Sequence, residues 1–261
     1  MQALSIAATG MMAQQLNVEV ISNNIANMST TGFKKQRAEF QDLLYQNLRR
    51  VGTNSSDTGT VVPSGVQIGL GVKTGSVYRI MNQGDMDNTG NKLDVAIQGR
   101  GFFRVQLPSG EDAYTRAGNF SLSATGQIVT SDGYTVQPGI TVPSDATDIT
   151  ISKDGQVQAT MPGQTSAQVV GQLELATFPN DAGLDPQGDN LFLETAASGS
   201  PSVATPGSTG VGTLLQGFLE TSNVNAVTEI SSLITAQRAY EMNSKVITAA
   251  DEMMSVTSNL K

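Results

Sequence analysis

The chain has 261 residues, a formal net charge of −8, and no His, Cys or Trp. These absences exclude Ser/His/Asp and Cys/His nucleophiles, Cys/His zinc sites and structural disulfides. The acidic balance argues against nucleic acid as a partner, because binding phosphates requires clustered Lys and Arg.

The N-terminus and the hydropathy pattern bear on where the chain resides. Met1 to Ile6 lack the basic region and compact apolar block of a secretory signal. No run of about 18 apolar residues is present, so we expect no direct membrane insertion. The sequence predicts a cytosolic protein, or one exported without a cleaved leader.

The first predicted element is a long helix from Ala3 to about Asn27, without Pro and with one Gly. Its apolar residues recur every seven positions, which is typical of a helix packed on another helix. The row contains Leu4, Met11, Val18 and Ile25, with Ala7, Ile21 and Met28 on companion positions. Glu19 is the only charge before Lys34. Because a helix without a charged face is normally buried, we expect protein to cover it on several sides.

The region after this helix is basic and then rich in turn-forming residues. Five of the 15 basic residues lie within 34–50: Lys34, Lys35, Arg37, Arg49 and Arg50. A cluster this small normally forms a solvated face. The alternative is contact with an acidic surface of a neighbouring subunit, since the chain from Asp154 to Glu229 has eight carboxylates and no Lys or Arg. The Gly/Ser/Thr/Pro-rich stretches Val51–Val72 and Ala197–Gly212 predict flexible linkers.

The middle of the chain, from about Leu93 to Glu194, predicts a β domain. Short runs of alternating or β-branched residues predict strands at 93–97, 102–105, 127–129 and 148–151. Asp132-Gly133 and Asp154-Gly155 predict hairpin turns. Gly99-Arg100-Gly101 also predicts a turn, because neither a third glycine nor a following helix completes a dinucleotide-binding fingerprint.

The last predicted element is a helix from Val224 to Leu260. One row of residues seven apart contains Ala226, Leu233, Tyr240, Ile247 and Met254, and a neighbouring row contains Ala239, Val246, Met253 and Leu260. Ser222, Asn223 and Asn225 are candidate caps. The predicted fold class is α+β, with long terminal α-helices forming a coiled-coil core around an all-β middle domain. Two interpretations stay open for these helices, a hairpin closing an ordinary domain and a core completed by neighbouring subunits.

The two ends resemble one family. Residues 21–34, which include Ala26, Asn27, Thr30, Gly32, Phe33 and Lys34, are similar to the N-terminal signature of bacterial flagellar rod and hook proteins. Residues 217–225 and 236–241, which include Ser222, Asn223, Val224, Gln237, Arg238 and Tyr240, are similar to the C-terminal signature of the same family. Residues 93–103 and 114–120 resemble its β-domain core, and residues 63–72 are similar to its distal rod member.

The resemblance implies a structural subunit of the flagellar distal rod, and not an enzyme. Such subunits polymerise into a stiff helical tube that transmits torque from motor to hook and encloses the export channel. The implied partners are further copies of the chain, proximal rod proteins, the hook protein, the P and L ring proteins and the flagellar type III export apparatus. No cofactor or metal is implied. The implied location is the periplasm-spanning rod of the basal body.

The resemblance also implies a division of the chain. Residues 1–30 and 222–261 form the helical core, 31–92 and 197–221 an extended connecting region, and 93–196 the outer β domain. A stretch near 46–63 is associated with rod stiffness, with Gly52, Asn54, Asp57 and Gly59 as its candidate residues. The candidate subunit-interface residues of the helical core are Leu4, Met11, Val18, Ile21, Ile25, Leu233, Tyr240, Ile247, Met254 and Leu260.

Two alternatives remain at this point. One is a proximal rod or hook subunit of the same family. The other is a secreted carboxylate-dependent hydrolase with an oligomerisation stalk, which requires two carboxylates in a cleft. Asp85 with Asp87, or Asp181 with Asp185, are available for that role, but both pairs lie in Gly- and Asn-rich segments typical of turns.

Overall fold

The computed structural model describes residues 2–49, 64–164 and 166–259. The chain divides into two compact units. The first contains the described residues within 1–25, 36–78 and 226–261, and the second those within 26–35 and 79–225. Both chain ends therefore belong to the first unit, while most of the strands belong to the second.

The first unit contains two long helices, α1 (Gln2–Ala26) and α2 (Ala226–Asn259). The Asn24 side-chain amide donates to the Glu229 carboxylate at 3.2 Å. Fourteen residues away on each helix, a Cβ added to Gly10 would lie 2.9 Å from Asn243 Nδ2. Because moving back along α1 corresponds to moving forward along α2, the helices form an antiparallel hairpin. Both predicted helices are confirmed.

The first unit also contains a β ribbon. Strand β1 (Gln36–Asp42) pairs with β4 (Val72–Arg79), and β2 (Tyr45–Arg49) pairs antiparallel with β3 (Val66–Gly69). Main-chain hydrogen bonds from Leu43 to Gly71 and from Leu70 to Leu44 join the two pairs. The ribbon is anchored to α1 by the Val72 N–H, which donates to Thr9 Oγ1 at 3.3 Å.

The second unit is β-rich. Its strands are β5 (Met86–Asn88), β6 (Val95–Gln98), β7 (Phe102–Gln106), β8 (Asp112–Thr115), β9 (Ser121–Leu122), β10 (Ile128–Val129), β11 (Thr135–Val136), β12 (Asp148–Ile151), β13 (Gln156–Thr160), β14 (Gln168–Gln172), β15 (Leu175–Thr177), β16 (Asp185–Gly188), β17 (Leu191–Leu193), β18 (Ser202–Ala204), β19 (Thr213–Gln216) and β20 (Phe218–Glu220). A single 3-10 turn, Asp181–Gly183, interrupts them in the described residues.

The largest sheet has the order β16-β17-β8-β7-β11-β10-β9, and β15 joins β7 to β18. A second sheet contains β12, β13 and β14. The main core contains Val95, Phe103, Val157 and Leu175, none of which is exposed. The last two strands close this unit, because β19 pairs with β6 and β20 pairs with β5.

The predicted strands and turns of the middle region are confirmed, within a residue or two at their ends. Gly99 and Gly101 have φ values of +110° and +137° in the turn between β6 and β7. Both linker predictions are wrong in part: within Val51–Val72, Val66–Gly69 forms β3, and within Ala197–Gly212, Ser202–Ala204 forms β18, where Val203 pairs with Ala176. Pro206 is buried. Here the Gly and Pro residues shape turns whose main chain is bonded, as in the bond from Gly212 to Arg100.

Candidate functional site

Three segments that are distant in sequence meet at a buried ion-pair cluster in the second unit. Glu220 ends β20, Lys34 follows α1 and its terminal turn, and Arg116 follows β8. The exposed fractions of these residues are 1%, 2% and 5%. We name this group the Glu220 junction. All three residues belong to the motifs that carry the family resemblance.

The Glu220 carboxylate accepts hydrogen bonds on both oxygens. Lys34 Nζ lies 2.5 Å from Oε1, and the Gly84 N–H donates to the same oxygen at 2.9 Å. The Arg116 guanidinium approaches Oε2 through Nε at 2.8 Å and through its terminal Nη2 at 2.7 Å. A buried carboxylate needs this many donors, because an uncompensated buried charge is strongly unfavourable.

Arg116 and Lys34 also bind main-chain carbonyls. Arg116 donates to Gly99 and Gly101 at 2.8 and 2.7 Å, and to Ile97 at 3.3 Å. Lys34 Nζ donates to the Asn82 carbonyl at 2.8 Å. Desolvation lowers the pKa of Lys34 below its ordinary value, and the Glu220 charge opposes that shift. The junction therefore holds the β6–β7 turn and the segment before β5 with one set of charges.

Gly32 brings the end of the N-terminal motif into this cluster. Its φ is +67°, a conformation in which L side chains are strained, and its N–H donates to the Glu220 carbonyl at 2.8 Å. A Cβ at this position would lie 3.0 Å from main-chain atoms of Arg116 and Ala117. The position thus requires glycine for its conformation and for the close approach of another segment.

Asn223 ties the two terminal motifs together in the second unit. Its Oδ1 accepts from the Lys35 N–H at 2.7 Å, and its Nδ2 donates to the carbonyls of Ile80 and Asn82 at 2.8 and 2.9 Å. The prediction that Asn223 caps α2 is therefore wrong, because its side-chain atoms bond main chain outside the helix. Ser222 Oγ is buried without a hydrogen-bond partner, and Asn225 directly precedes α2.

In the first unit, Asn24 has a comparable role at the base of the helical hairpin. This residue is 1% exposed. It exchanges two hydrogen bonds of 2.8 Å with the Gln36 main chain and donates to Glu229, which is itself buried. A buried polar contact of this kind favours one register over its neighbours.

The helical hairpin buries four alanines and leaves ten large apolar side chains of its described residues exposed. The buried positions of both helices include Ala7, Ala13, Ala236 and Ala250. Large apolar side chains remain exposed, namely Met12, Val227, Ile230, Ile234, Tyr240, Met242, Val246, Met253, Met254 and Val256. The first set permits close approach of the helices, whereas the second set carries most of the apolar area available for further association.

The two predicted rows of α2 have different environments. From the first row, Ala226, Leu233 and Ile247 are half-buried, and Tyr240 and Met254 are 43% and 40% exposed. From the second row, Val246 and Met253 are 48% and 64% exposed. Met242, Ala249 and Val256 extend that second row at spacings of three and four, and all are exposed. We name Met242, Val246, Ala249, Met253 and Val256 the exposed row.

The exposed row continues beyond the hairpin. Since Asn243 faces Gly10, residue 251 is level with Gln2, so residues 252–259 of α2 extend past the described start of α1. Tyr240 and Gln237 line an open groove of about 500 Å³ with Gln15, Val18 and Glu19. Among the other α1 candidates, Ile21 is buried, and Leu4, Met11 and Ile25 are half-buried.

The remaining motif residues lie around these features. Ala26, Gln237 and Arg238 are exposed, and Phe33 and Val224 are half-buried. Thr30 Oγ1 donates to Asn27 Oδ1 at 3.2 Å in the turn after α1. Leu260 and the candidate stiffening residues Gly52, Asn54, Asp57 and Gly59 lie outside the described residues.

The predicted basic face within 34–50 is wrong for Lys34, which is buried and pairs with Glu220 inside the same chain. Its charge is needed inside the chain, because Lys34, Arg116 and the Glu220 carboxylate are all removed from water. Arg37 is exposed and lies 3.8 Å from Glu39, so it does belong to a solvated surface.

The four aspartates considered for a hydrolase occupy structural positions, and the turn prediction is wrong for Asp87 and Asp185, which lie in strands. The Asp85 carbonyl accepts from the Thr221 main chain and hydroxyl, and the Asp181 carboxylate lies 3.4 Å from Arg100. Asp87 lies within β5 and Asp185 begins β16.

Neither described helix contains an apolar stretch that could span a bilayer.

Sequence reasoning did not identify Glu220 and Arg116 as partners of Lys34, or Asn24 as a buried contact. One signal was available: Lys34 ends a charge-poor N-terminal segment, and Glu220 directly follows the apolar residues Phe218 and Leu219. A charge in such a context indicates a buried ion pair. The fold decides which of the chain's 15 basic and 23 acidic residues form ion pairs.

Three family models match the chain. Residues 4–34 match the flagella basal body rod protein, residues 96–159 match the flagellar hook protein FlgE/F/G D1 domain, and residues 215–260 match the flagellar basal body rod FlgEFG protein C-terminal region. Lys34 and Glu220 fall in the first and last of these matches. Arg116 falls in the middle one.

Full-length relatives give the same result. The chain is 65% identical over 261 residues to flagellar basal-body rod protein FlgG of Caulobacter vibrioides, covering 100% of both chains. It is 56% identical over 262 residues to the FlgG of Agrobacterium fabrum, again covering 100% of both. The FlgF of Caulobacter vibrioides is 33% identical over 255 residues, covering 96% of this chain and 94% of that protein.

Proposed function

Because this chain belongs to the flagellar basal-body rod protein family and is a structural subunit of the distal rod, we propose that it polymerises into a stiff helical tube. The tube transmits torque from motor to hook and encloses the export channel. In the proposed tube, residues 1–30 and 222–261 form the helical core, residues 31–92 and 197–221 the connecting region, and residues 93–196 the outer domain.

The observation that carries this proposal is the exposed row of α2. Burying a Val or Met side chain is worth about 1.5–3 kcal/mol, and the hairpin leaves the row's two methionines and two valines uncovered. The row repeats at spacings of three and four, which is the pattern of a helix that packs on further helices. A second copy of the chain offers the same row and is the simplest partner for it.

The Glu220 junction supports the proposed transmission of torque. Transmitting torque requires subunits that do not deform internally. Charge-assisted hydrogen bonds in a buried interior are short and directional, so they resist such deformation. The junction joins the N-terminal motif, the middle strands and the C-terminal motif of one subunit. A subunit held this way is suited to passing force between its neighbours.

Family membership supports association with other rod and hook proteins. The finer partners remain part of the proposal: proximal rod proteins at one end, the hook protein at the other, P and L rings around the tube and the type III apparatus during export. The same holds for a periplasm-spanning location. The stretch near 46–63 is proposed to stiffen the tube by bridging neighbouring subunits.

Electron microscopy of the purified chain at high concentration tests the tube. We expect straight tubes from the unaltered chain and none from Val246→Asp, which places a charge in the exposed row. Ser244→Asp is the matched control, because Ser244 is exposed on the same helix outside this row. Tubes from the Val246→Asp chain, or monomers from the unaltered chain, would contradict the proposal.

A further inference from the structure

The exposed methionines have a restricted distribution. Met12, Met242, Met253 and Met254 are exposed by 40% to 71% on the two helices, and Met28 by 46% in the turn after α1. The described methionines of the second unit's β-rich part, Met81, Met86 and Met161, are half-buried. The chain thus presents its thioethers on its helical ends.

Methionine is also the most readily oxidised side chain available. The chain contains 10 Met and no Cys, His or Trp. A hydroperoxide transfers one oxygen to the thioether sulfur. The O–O bond breaks, the sulfur loses two electrons, and the hydroperoxide is reduced to an alcohol, or to water when the oxidant is hydrogen peroxide. The product is methionine sulfoxide, which is polar and is reduced back by methionine sulfoxide reductases.

Two of these methionines lie on the exposed row. Met242 and Met253 are 61% and 64% exposed and lie eleven residues apart, about three helical turns, on the same side of α2. The row between them contains only Val246 and Ala249. A sulfoxide at either end therefore puts a strong hydrogen-bond acceptor into an otherwise apolar contact surface, where its burial without a donor is costly.

We propose that Met242 and Met253 are reversible oxidation sites that control self-association of the free subunit, with a hydroperoxide as the oxidant. This inference rests on the proposed function, because it takes the exposed row as the contact between copies. Methionine at these positions is suited to that contact, since its flexible side chain fits unlike neighbours in a helical assembly. Their exposure makes the free subunit sensitive to peroxide, and their burial in the contact protects them after assembly.

The test treats the purified full-length chain with hydrogen peroxide, locates sulfoxides by peptide mass spectrometry, and measures polymer by sedimentation. We expect oxidation at Met242 and Met253 to raise the concentration needed for half-maximal sedimentation by roughly tenfold, the effect of about 1.4 kcal/mol. The double variant Met242→Leu, Met253→Leu keeps the row apolar and is expected to resist this change. Met161→Leu, outside the helices, is expected to remain as sensitive as the unaltered chain.

A second measurement compares sulfoxide formation in the free chain and in preformed polymer. Slower oxidation of Met242 and Met253 in the polymer, and recovery of sedimentation after reductase treatment, would support the inference. Unchanged sedimentation with both sulfoxides present would overturn it and leave the tube standing. Equal oxidation rates in free chain and polymer would also overturn it. An untreated chain that never sediments would instead refute the proposed tube itself, and this inference with it.

Discussion

The Lys34 ammonium nitrogen lies 2.5 Å from a carboxylate oxygen of Glu220, across 186 residues of sequence. This ion pair joins the end of the N-terminal motif to the start of the C-terminal motif. It is completed by Arg116 on the second oxygen. The stability of the middle of the subunit therefore depends on residues supplied by both ends of the chain.

Replacing Glu220 by Gln tests that dependence. The amide preserves size but leaves Lys34 and Arg116 as buried cations without a counter-charge, so we expect a loss of about 3–5 kcal/mol in the free energy of unfolding. Urea denaturation followed by circular dichroism measures it. Glu194→Gln is the control, because Glu194 is exposed.

Lys34→Met gives a further comparison at the same junction. Here the carboxylate keeps Arg116 and the Gly84 N–H, so we expect a smaller loss than for Glu220→Gln. An equal or larger loss on Lys34→Met would contradict the view that Glu220 is the central member of the cluster.

Gly32→Ala separates conformational strain from crowding. Gly32 and Gly90 have nearly equal φ values, +67° and +69°, but a Cβ on Gly90 would meet nothing within 4 Å. Gly90→Ala should lose about 1–2 kcal/mol from strain alone. Gly32→Ala should lose more, because its Cβ would press on main chain of residues 116 and 117. Thermal unfolding of the two variants measures the difference, and equal losses would refute the crowding argument.

Asn24→Ala probes the base of the helical hairpin. The substitution removes two hydrogen bonds with the Gln36 main chain and one with Glu229, so we expect a loss of about 1–3 kcal/mol. Hydrogen exchange should show increased opening of residues 20–26 ahead of global unfolding. Ser22→Ala, at an exposed position of the same helix, should leave both measurements unchanged.

Proteolysis compares the chain ends in dilute solution and in polymer. Because large apolar side chains of both helices are uncovered in the single chain, we expect cleavage within residues 1–30 in dilute solution and protection after polymerisation. Protection of residues 1–30 in the dilute chain would show that the hairpin is self-sufficient.

Deleting Gly52 to Thr60, which lie outside the described residues, tests the proposed stiffening stretch. An ordered bridge between subunits blocks the sliding that curvature requires, so we expect curved or more flexible polymers from the deletion. Electron micrographs measure the bending. Straight polymers of unchanged stiffness would contradict this role.

Local sequence was sufficient to determine the two helices, the turn glycines and four strands of the middle region. Each depends on a short-range property: a seven-residue apolar repeat in α1 and α2, alternation in strands such as β12, or the conformational freedom of Gly155. The terminal motifs likewise indicated the family, since their residues are contiguous. The same local signals could not assign Asn223, whose residue type suits a helix cap but whose partners are remote main-chain groups.

Only the tertiary structure decided which charges pair and which apolar row stays uncovered. The Lys34–Glu220 contact joins residues 186 positions apart, and a local sequence pattern gives no information on contacts over such a separation. Two apolar heptad rows of α2 look equivalent along the chain, yet the described residues that α2 buries are Glu229, Ala236 and Ala250, which belong to neither row, while Met242, Val246 and Met253 stay in solvent. Helical periodicity determines that a helix has an apolar side, whereas the position of the neighbouring helix determines which apolar residues stay exposed.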